Sequence, residues 1–552
     1  MQRPVRQLFT LAVICVIAPL IHARPEPNDV SKAGMTLRIP EHRTKEAYVT
    51  LLYAEEFLLG VRVLGQSLRE SGTKNDLVAL ISKGVTDKGA ELLQADGWIV
   101  KRVELLSNPN SKHPTRFWGV YTKLTIFNLV EYERVTYLDA DTIVLKSIDD
   151  VFGCKGFCAV LRHSERLNSG FMVVEPSKEL FADMMDKIAT TPSYTGGDQG
   201  FLNEYYGNFI NAPLYDPEFR PVTDDETAHR LPTRFNGDVG LYVLNSNKWM
   251  VDDSLLRVIH FTLGPLKPWD WWTAYILNPV DRWEAYRQRL PASIPGVGAG
   301  WTHHVSRTVT LLAVLPFLVS ILLGRKWLMQ VYRDLSGLVA RGQLCGGVRA
   351  RFRQAAGGLP LYGAVNGGAG ISMTSQPTPG HFVGGHPPYL ESLSVAVCFS
   401  AVLLALGTAT FLVPRQVPPR TGLLLVYEWL FFVFGVAFAK YLEAVHFWGR
   451  STAAGKGANG AGGRWADESS RGRNKPEPLQ AGWDSETAGY VLGMGGLAIL
   501  APCLPWLLGV DALFAKLGLM LAGLFLWAIF MTHAASRLAV RYYLSGILSS
   551  AH

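Results

Sequence analysis

Val135-Thr136-Tyr137-Leu138 runs into Asp139-Ala140-Asp141 and leaves through Thr142-Ile143-Val144-Leu145. Two apolar, β-rich runs therefore flank a pair of carboxylates. In extended backbone, residues i and i+2 point to the same side, so Asp139 and Asp141 are expected to face one divalent cation. Hard carboxylate oxygens suit Mg²⁺ or Mn²⁺. An Asp-x-Asp pair by itself is common in surface turns. Here it gains weight from its place at the end of a strand, because ligands of open α/β sheets collect at the carboxyl ends of their strands.

Outward from this edge the pattern alternates. Residues 49–53 and 77–81 read as strands, and 57–68 between them has helical spacing, an order that predicts a parallel sheet. A helix over 122–130 leads into the Asp139 strand. The α/β pattern holds from residue 47 to about 291, within a predicted lumenal domain at 44–292.

Beyond residue 300 the chain changes character. Residues 1–300 carry 33 Lys and Arg against 36 Asp and Glu, and the remainder 20 against 10, so the net charge of +7 belongs to the C-terminal part. That part also holds long uncharged runs, from which five spans are predicted at 305–324, 393–413, 423–442, 490–510 and 513–533. The basic residues thus read as membrane-flanking rather than as a nucleic-acid stripe, and no nucleic-acid-binding motif is present. Arg349 and Arg351 in the Gly-rich loop 325–392, and Arg471 and Arg473 in 443–489, place both loops in the cytosol by the positive-inside rule, with the catalytic domain in the lumen. Arg3 and Arg6 precede an apolar stretch at 8–21, so 1–23 is expected to be a signal peptide or signal anchor. Glu428 falls inside the third span, a functional hypothesis by default, and snorkelling to the lumenal interface is its expected account.

Of six cysteines, only Cys154 and Cys158 lie in the predicted lumenal domain. Disulfide and free thiols both remain open, and zinc is not expected without a second Cys/His pair. No Asn-x-Ser/Thr acceptor occurs, so N-glycosylation is not expected.

Four further segments carry chemistry. Leu167-Asn168-Ser169-Gly170 offers polar side chains and a close backbone approach. Gly196-Gly197-Asp198-Gln199 places an acid and an amide at a helix entry. His260-Phe261-Thr262-Leu263-Gly264-Pro265-Leu266-Lys267 combines an imidazole, a permissive glycine and a cation. Thr122-Lys123 opens the helix before the Asp139 strand. Each has an ordinary reading as a turn, a cap or a structural histidine. Together they supply what a nucleotide-sugar site requires, a divalent metal and a cation to stabilise charge on a leaving diphosphate.

At these residues the chain resembles glycosyltransferase family 8, the retaining α-glycosyltransferases that include glycogenin. The resemblance implies a Rossmann-like, GT-A type α/β domain followed by a polytopic α-helical membrane region. It implies Mn²⁺ held by Asp139, Asp141 and His260. Asp198, Gln199 and Lys123 are the implied catalytic residues. Implied donor contacts are Leu51, Tyr53, Lys123, Asp139, Ala140, Asp141, Asn168, Ser169, Gly170, Asp198, Gln199, Gly264 and Lys267. The chain departs from the family pattern at Thr195, where Asp is frequent, at Ala54 and Phe57 on the base side, and in a His260-to-Lys267 spacing one residue longer than in glycogenin.

A plant branch, the inositol phosphorylceramide glucuronosyltransferases, is more similar still. His113-Pro114-Thr115-Arg116-Phe117-Trp118, His163-Ser164-Glu165-Arg166 and Lys267-Pro268-Trp269-Asp270-Trp271-Trp272 look like that branch. It implies UDP-glucuronate as donor, inositol phosphorylceramide as acceptor and a multi-pass Golgi location. Front-face attack is the implied route to retention, with Asp198 as a transient nucleophile the alternative. Other readings are a galactosyl or glucosyl transferase acting on cell-wall polysaccharide, and a non-catalytic membrane scaffold or transporter subunit. Arg116, Arg162 and Arg166 are each either a partner for a uronate carboxylate or a structural arginine. Trp269, Trp271 and Trp272 read as an acceptor platform, an interfacial anchor or core.

Overall fold

A computed structural model describes residues 45–108, 119–162, 165–218, 227–291, 305–322, 386–458 and 485–549. The segment 1–23, Arg116 with the rest of 113–118, residues 163–164 and most of both basic loops lie outside the described residues.

Strands β1 (Glu46–Leu52), β2 (Asp76–Ile81), β3 (Ile99–Arg102) and β4 (Arg134–Leu138) are mutually parallel neighbours in the order β3-β2-β1-β4. Later in the chain come β5 (Thr142–Val144), β6 (Phe157–Leu161), β7 (Leu167–Val174), β8 (Ala228–Leu231), β9 (Gly237–Asp238) and β10 (Val258–His260). Beyond β4, β7 runs antiparallel, then β6 and β8, completing a seven-stranded mixed sheet. Both faces are covered, so the strands read as continuous apolar runs. Tyr48 and Leu52 of β1 pack with Val61, Leu64 and Trp98, whereas Ala47, Val49 and Leu51 pack with Tyr121, Phe127 and Met172. Helix α1 (Leu58–Glu70) covers the first face, and α2 (Asp87–Ala95) joins it through Leu93. On the second lie α3 (Lys178–Lys187), α4 (Asp198–Tyr205) and a 3₁₀ helix at Val120–Asn128. The last replaces the helix expected over 122–130; its β-branched and aromatic residues are weak α-formers.

The Asp139 edge differs from the extended segment expected. Asp139–Asp141 is a turn, closed by Thr142 N–H donating to Asp139 O at 3.1 Å. The chain then leaves the large sheet, and β5 joins a three-stranded sheet in the order β5-β10-β9. In that sheet His260 pairs with Thr142 on one side and Asp238 on the other. The change of sheet brings the histidine to the two carboxylates. The Asn-Ser-Gly segment is likewise no simple turn. Ala159 of β6 pairs with Met172 but Val160 pairs with Asn168, so Ser169, Gly170 and Phe171 bulge from that ladder. Bulges re-aim side chains beside active sites.

Short helices α5 (Val239–Leu244) and α6 (Val280–Gln288) complete the head. Cys154 and Cys158 form a disulfide. The β6–β8 pairing sets His229 opposite Cys158, close enough for three ligand atoms to lie within 4.8 Å of one another, but both sulfurs are consumed by the bond between them.

Among the described residues, five helices are long and apolar enough to cross a membrane: α7 (Val305–Leu322), α8 (Leu390–Leu412), α9 (Pro419–Ala458), α10 (Ser485–Leu507) and α11 (Leu513–Ser549). Helices α9 and α11 run for 40 and 37 residues, past the ends of the apolar stretches 423–442 and 513–533. At 1.5 Å per residue such helices are longer than a hydrocarbon core of about 30 Å is thick. Helices α8 to α11 pack around Cys398, Phe438, Leu442, Met494, Met531 and Leu538, while α7 leans on Ala409, Leu425 and Trp429. Glu428 does not snorkel: it is 3% exposed, and neither carboxylate oxygen has a partner among the described residues.

The head sits on the two loops at one end of this bundle. From 413–418, Arg415 pairs with Asp270 through Nε at 3.1 Å and Nη2 at 2.8 Å, and its carbonyl accepts from Trp271 N–H at 3.0 Å. Arg287, 1% exposed, donates to Gln416 O at 2.9 Å and Val417 O at 3.3 Å. Beside the other loop, Lys516 donates to Asn278 Oδ1 at 2.8 Å and Asn247 to Asp511 O at 2.5 Å. Gly422 of α9 lets the indole of Trp271 lie against the helix; a Cβ there would fall 2.3 Å from Trp271 Cγ.

Candidate active site

The site is built where β4 ends, β7 bulges and β10 ends. Asp139, Asp141 and His260 each offer a ligand atom, all within 4.8 Å of one another. His260 Nε2 is 3.3 Å from Asp141 Oδ1 and 3.7 Å from Asp139 Oδ2. Asn236 fixes the ring: its Oδ1 is 3.0 Å from His260 Nδ1, which assigns the proton to Nδ1 and leaves Nε2 as the ligand. Asn236 also donates to Asn168 Oδ1 at 2.9 Å, tying the histidine to the bulge. Gly170 is required by this closeness. A Cβ on it would stand 2.1 Å from His260 Cε1 and 2.8 Å from Asp139 Oδ2. Two carboxylates, an imidazole aimed inward and a cradle free of side chain fit a divalent cation.

Two lysines border the acids. Lys267 Nζ lies 2.5 Å from Asp141 Oδ2 and also donates to Phe261 O at 3.0 Å. Burial opposes the charge on Asp141, but Lys267 and then His260 outweigh it and hold the carboxyl well below the usual carboxylate range. Lys123 Nζ is 3.0 Å from both Asp139 and Asp198. Burial works against its ammonium too, yet Asp139 and Asp198 prevail and keep it charged above the ordinary lysine range. Tyr137 donates to Asp139 Oδ1 at 2.8 Å, leaving Oδ2 toward the histidine.

Asp198 opens α4, buried at 8% exposure. Its Oδ2 is enclosed and meets Lys123 as an ion pair at 3.0 Å, without a well-directed hydrogen bond among the described residues. Gln199 accepts from Asn168 Nδ2 at 3.2 Å and donates to Tyr194 OH at 3.1 Å. Thr195, the departure noted above, accepts from Gly200 N at 3.0 Å and Gly197 N at 3.2 Å, so it fixes the helix entry. Ser169 accepts from Lys123 through both its carbonyl and Oγ at 3.3 Å.

Asp139, Asp141, His260, Lys267, Lys123, Asp198, Gln199, Asn168, Ser169 and Gly170 are thus brought into one network. Ala140 sits in the turn between the acids, and Gly264 in the turn closed by Leu266 N–H to Leu263 O at 3.3 Å. Leu51 is packed in the core, and Tyr53, just past β1, meets Phe57 in a tilted contact with ring centroids 4.9 Å apart. The three tryptophans divide: Trp269 is core, and Trp271 and Trp272 belong to the seam with the helices. Sequence reasoning missed Asn236, Tyr137 and Tyr194. Asn236-Gly237-Asp238 reads as a turn, and only its pairing beside His260 shows its role.

No protein-family model matches the chain. It is 48% identical over 514 residues to inositol phosphorylceramide glucuronosyltransferase 1 of Arabidopsis thaliana, covering 91% of this chain and 92% of that one. A second relative, putative glucuronosyltransferase PGSIP7 of Arabidopsis thaliana, is 34% identical over 300 residues, 52% of this chain and 56% of that protein. Among solved structures, galactosyltransferase LgtC with donor and acceptor sugar analogs shares 15% identity over 44% of this chain and 94% of that one, at a TM-score of 0.33, too low to carry an argument. The first relationship decides the family. This chain belongs to the inositol phosphorylceramide glucuronosyltransferases.

Proposed function

We propose that the protein transfers glucuronic acid from UDP-glucuronate to inositol phosphorylceramide, with retention at the anomeric carbon, in the Golgi membrane. Family membership supports the donor and acceptor. The observation that carries the reading is the joining of the Asp139, Asp141, His260 and Lys267 cluster to a head seated on the loops of five apolar helices. A GT-A type domain facing the lumen, with the basic loops in the cytosol, accounts for that arrangement. A lipid acceptor held at the membrane surface gains effective concentration and orientation.

A divalent cation, Mn²⁺ in this reading, would be held by Asp139, Asp141 and His260 and would offset charge on the diphosphate. Lys267 supplies a fixed positive charge beside Asp141 as the leaving group separates. Asp198 and Gln199 hold the sugar, and Lys123, 3.0 Å from Asp198, keeps that carboxylate in place. With no further nucleophile placed on the sugar's far face in this scheme, attack occurs on the face from which the diphosphate leaves.

The test is full-length protein in liposomes with UDP-glucuronate, Mn²⁺ and inositol phosphorylceramide, read as glucuronosylated lipid by mass spectrometry. Sugar appearing only on soluble saccharides or protein would overturn the acceptor assignment.

A further inference from the structure

A donor carrying a carboxylate poses an electrostatic problem that a neutral hexose does not. Its C6 carboxylate must enter a site already holding Asp139, Asp141, Asp198 and Asp238, beside a diphosphate. A carboxylate taken out of water without a cation is strongly disfavoured. Most cations around the sugar-facing acids are engaged. Lys123 lies between Asp139 and Asp198, Lys267 is paired with Asp141, and Arg162 donates to Asp238 at 2.6 Å. Asp238 in turn is held down by Arg162 and by Thr262 despite its burial.

Arg166 is different. Among the described residues its guanidinium has no carboxylate partner; it lies over the Tyr194 ring, 3.9 Å from the centroid. Tyr194 accepts the hydrogen bond of Gln199, and Gln199 accepts that of Asn168, so the guanidinium is two contacts from one sugar-site amide and three from the other. The backbone fixes it there. Arg166 O accepts from Arg162 N at 2.7 Å across the β6–β7 hairpin, with Glu165 in the left-handed region at φ 58°. Asn168 lies two residues on, at the start of β7. The loop bearing Tyr194 is pinned as well, by Asn108 donating to Gly196 O at 2.6 Å and Ser193 to Gly197 O at 2.7 Å. Arg166 and Tyr194 line a polar hollow of about 380 Å³. Glu165 and Glu204 line it too, but neither forms an ion pair with Arg166 among the described residues. A planar fork held on an aromatic face, with its donors open, suits bidentate capture of a carboxylate.

We propose that Arg166, oriented by Tyr194, binds the C6 carboxylate of the uronosyl donor and so selects it over a neutral hexosyl donor. This rests on the UDP-glucuronate reading above. The experiment measures binding and turnover of UDP-glucuronate and UDP-glucose by full-length wild type, Arg166→Leu, Arg166→Lys and Tyr194→Leu, with thermal unfolding to verify the fold. Arg166→Leu is expected to weaken UDP-glucuronate binding about 10- to 100-fold, the range for a hydrogen bond to a charged group. UDP-glucose binding should be unchanged, Arg166→Lys should restore part of the loss, and Tyr194→Leu should give a smaller loss in the same direction. An equal change for both donors, or none for either, overturns the role of Arg166. If wild type itself prefers UDP-glucose, the donor reading fails and this inference with it, a result distinct from a wild-type preference that survives Arg166→Leu.

Discussion

The head and the helical part solve opposite electrostatic problems. In the head, buried acids are common and paired: Asp96 meets Arg62, Asp198 meets Lys123 and Asp141 meets Lys267. In the helices, Glu428 is the one buried charged side chain among the described residues and has no partner among them, and packing rests on small and aromatic residues. Fixed charge preorganised in a low-dielectric site is what departure of a diphosphate leaving group needs. The difference locates the interesting contacts at the seam, where Asp270, three residues after Lys267, is held by Arg415 from the loop between α8 and α9.

The comparison breaks first at the acids. Asp139→Asn or Asp141→Asn should lower glucuronosyl transfer by about 100- to 1,000-fold, the scale seen when a group stabilising developing charge is removed. The fold should persist, since Asp139 is only partly buried and neither substitution changes volume. Single-turnover assays with and without chelator check this. A variant with wild-type turnover would show that these carboxylates serve packing alone.

The head's elements were legible where pattern is local. The β1 and β2 strands, the α1 helix and the acid pair all follow from apolar periodicity and from the Asp-Ala-Asp spacing. What was hidden depends on pairing. The expected extended Asp139–Asp141 segment becomes a turn because β5 changes sheets, and the Ser169 bulge exists only relative to β6. Asn236 orients His260 through a contact between residues far apart in sequence, which no spacing rule reports. In the helices, hydropathy gives five segments but not their ends, since α9 and α11 continue as helix after apolarity fades. Burial of Glu428 likewise depends on neighbours from other helices.

The seam offers a sharper test of intermediate size. Asp270 is 1% exposed, and burial raises its pKa while Arg415 opposes the rise. Arg415→Ala should leave that carboxylate without its cation and loosen the turn that presents Lys267, whose carbonyl accepts from Asp270 N at 3.1 Å. Transfer to lipid should fall about tenfold, in keeping with a misplaced catalytic group. Donor hydrolysis by the same protein should fall less, because the head's own network remains. Arg415→Lys should rescue poorly, as an ammonium cannot reproduce the two-point contact. Equal losses in both assays would mean that Arg415 acts only on the head's integrity.

The smallest effect separates the two regions by stability. The Cys154–Cys158 disulfide closes a short loop beside β6, so the chain-entropy model gives it on the order of 2 kcal/mol. Both sulfurs are buried and remote in sequence from the seam, and every group in the acid cluster is held by other contacts. Replacing both cysteines by alanine should therefore lower the unfolding temperature of the head by a few degrees, leave the helical bundle's transition where it was and change turnover less than twofold. Differential scanning calorimetry in detergent, paired with the transfer assay, resolves the two transitions. A shift of both together would show that the seam couples head and helices into one cooperative unit, and that the contrast between them is chemical but not thermodynamic.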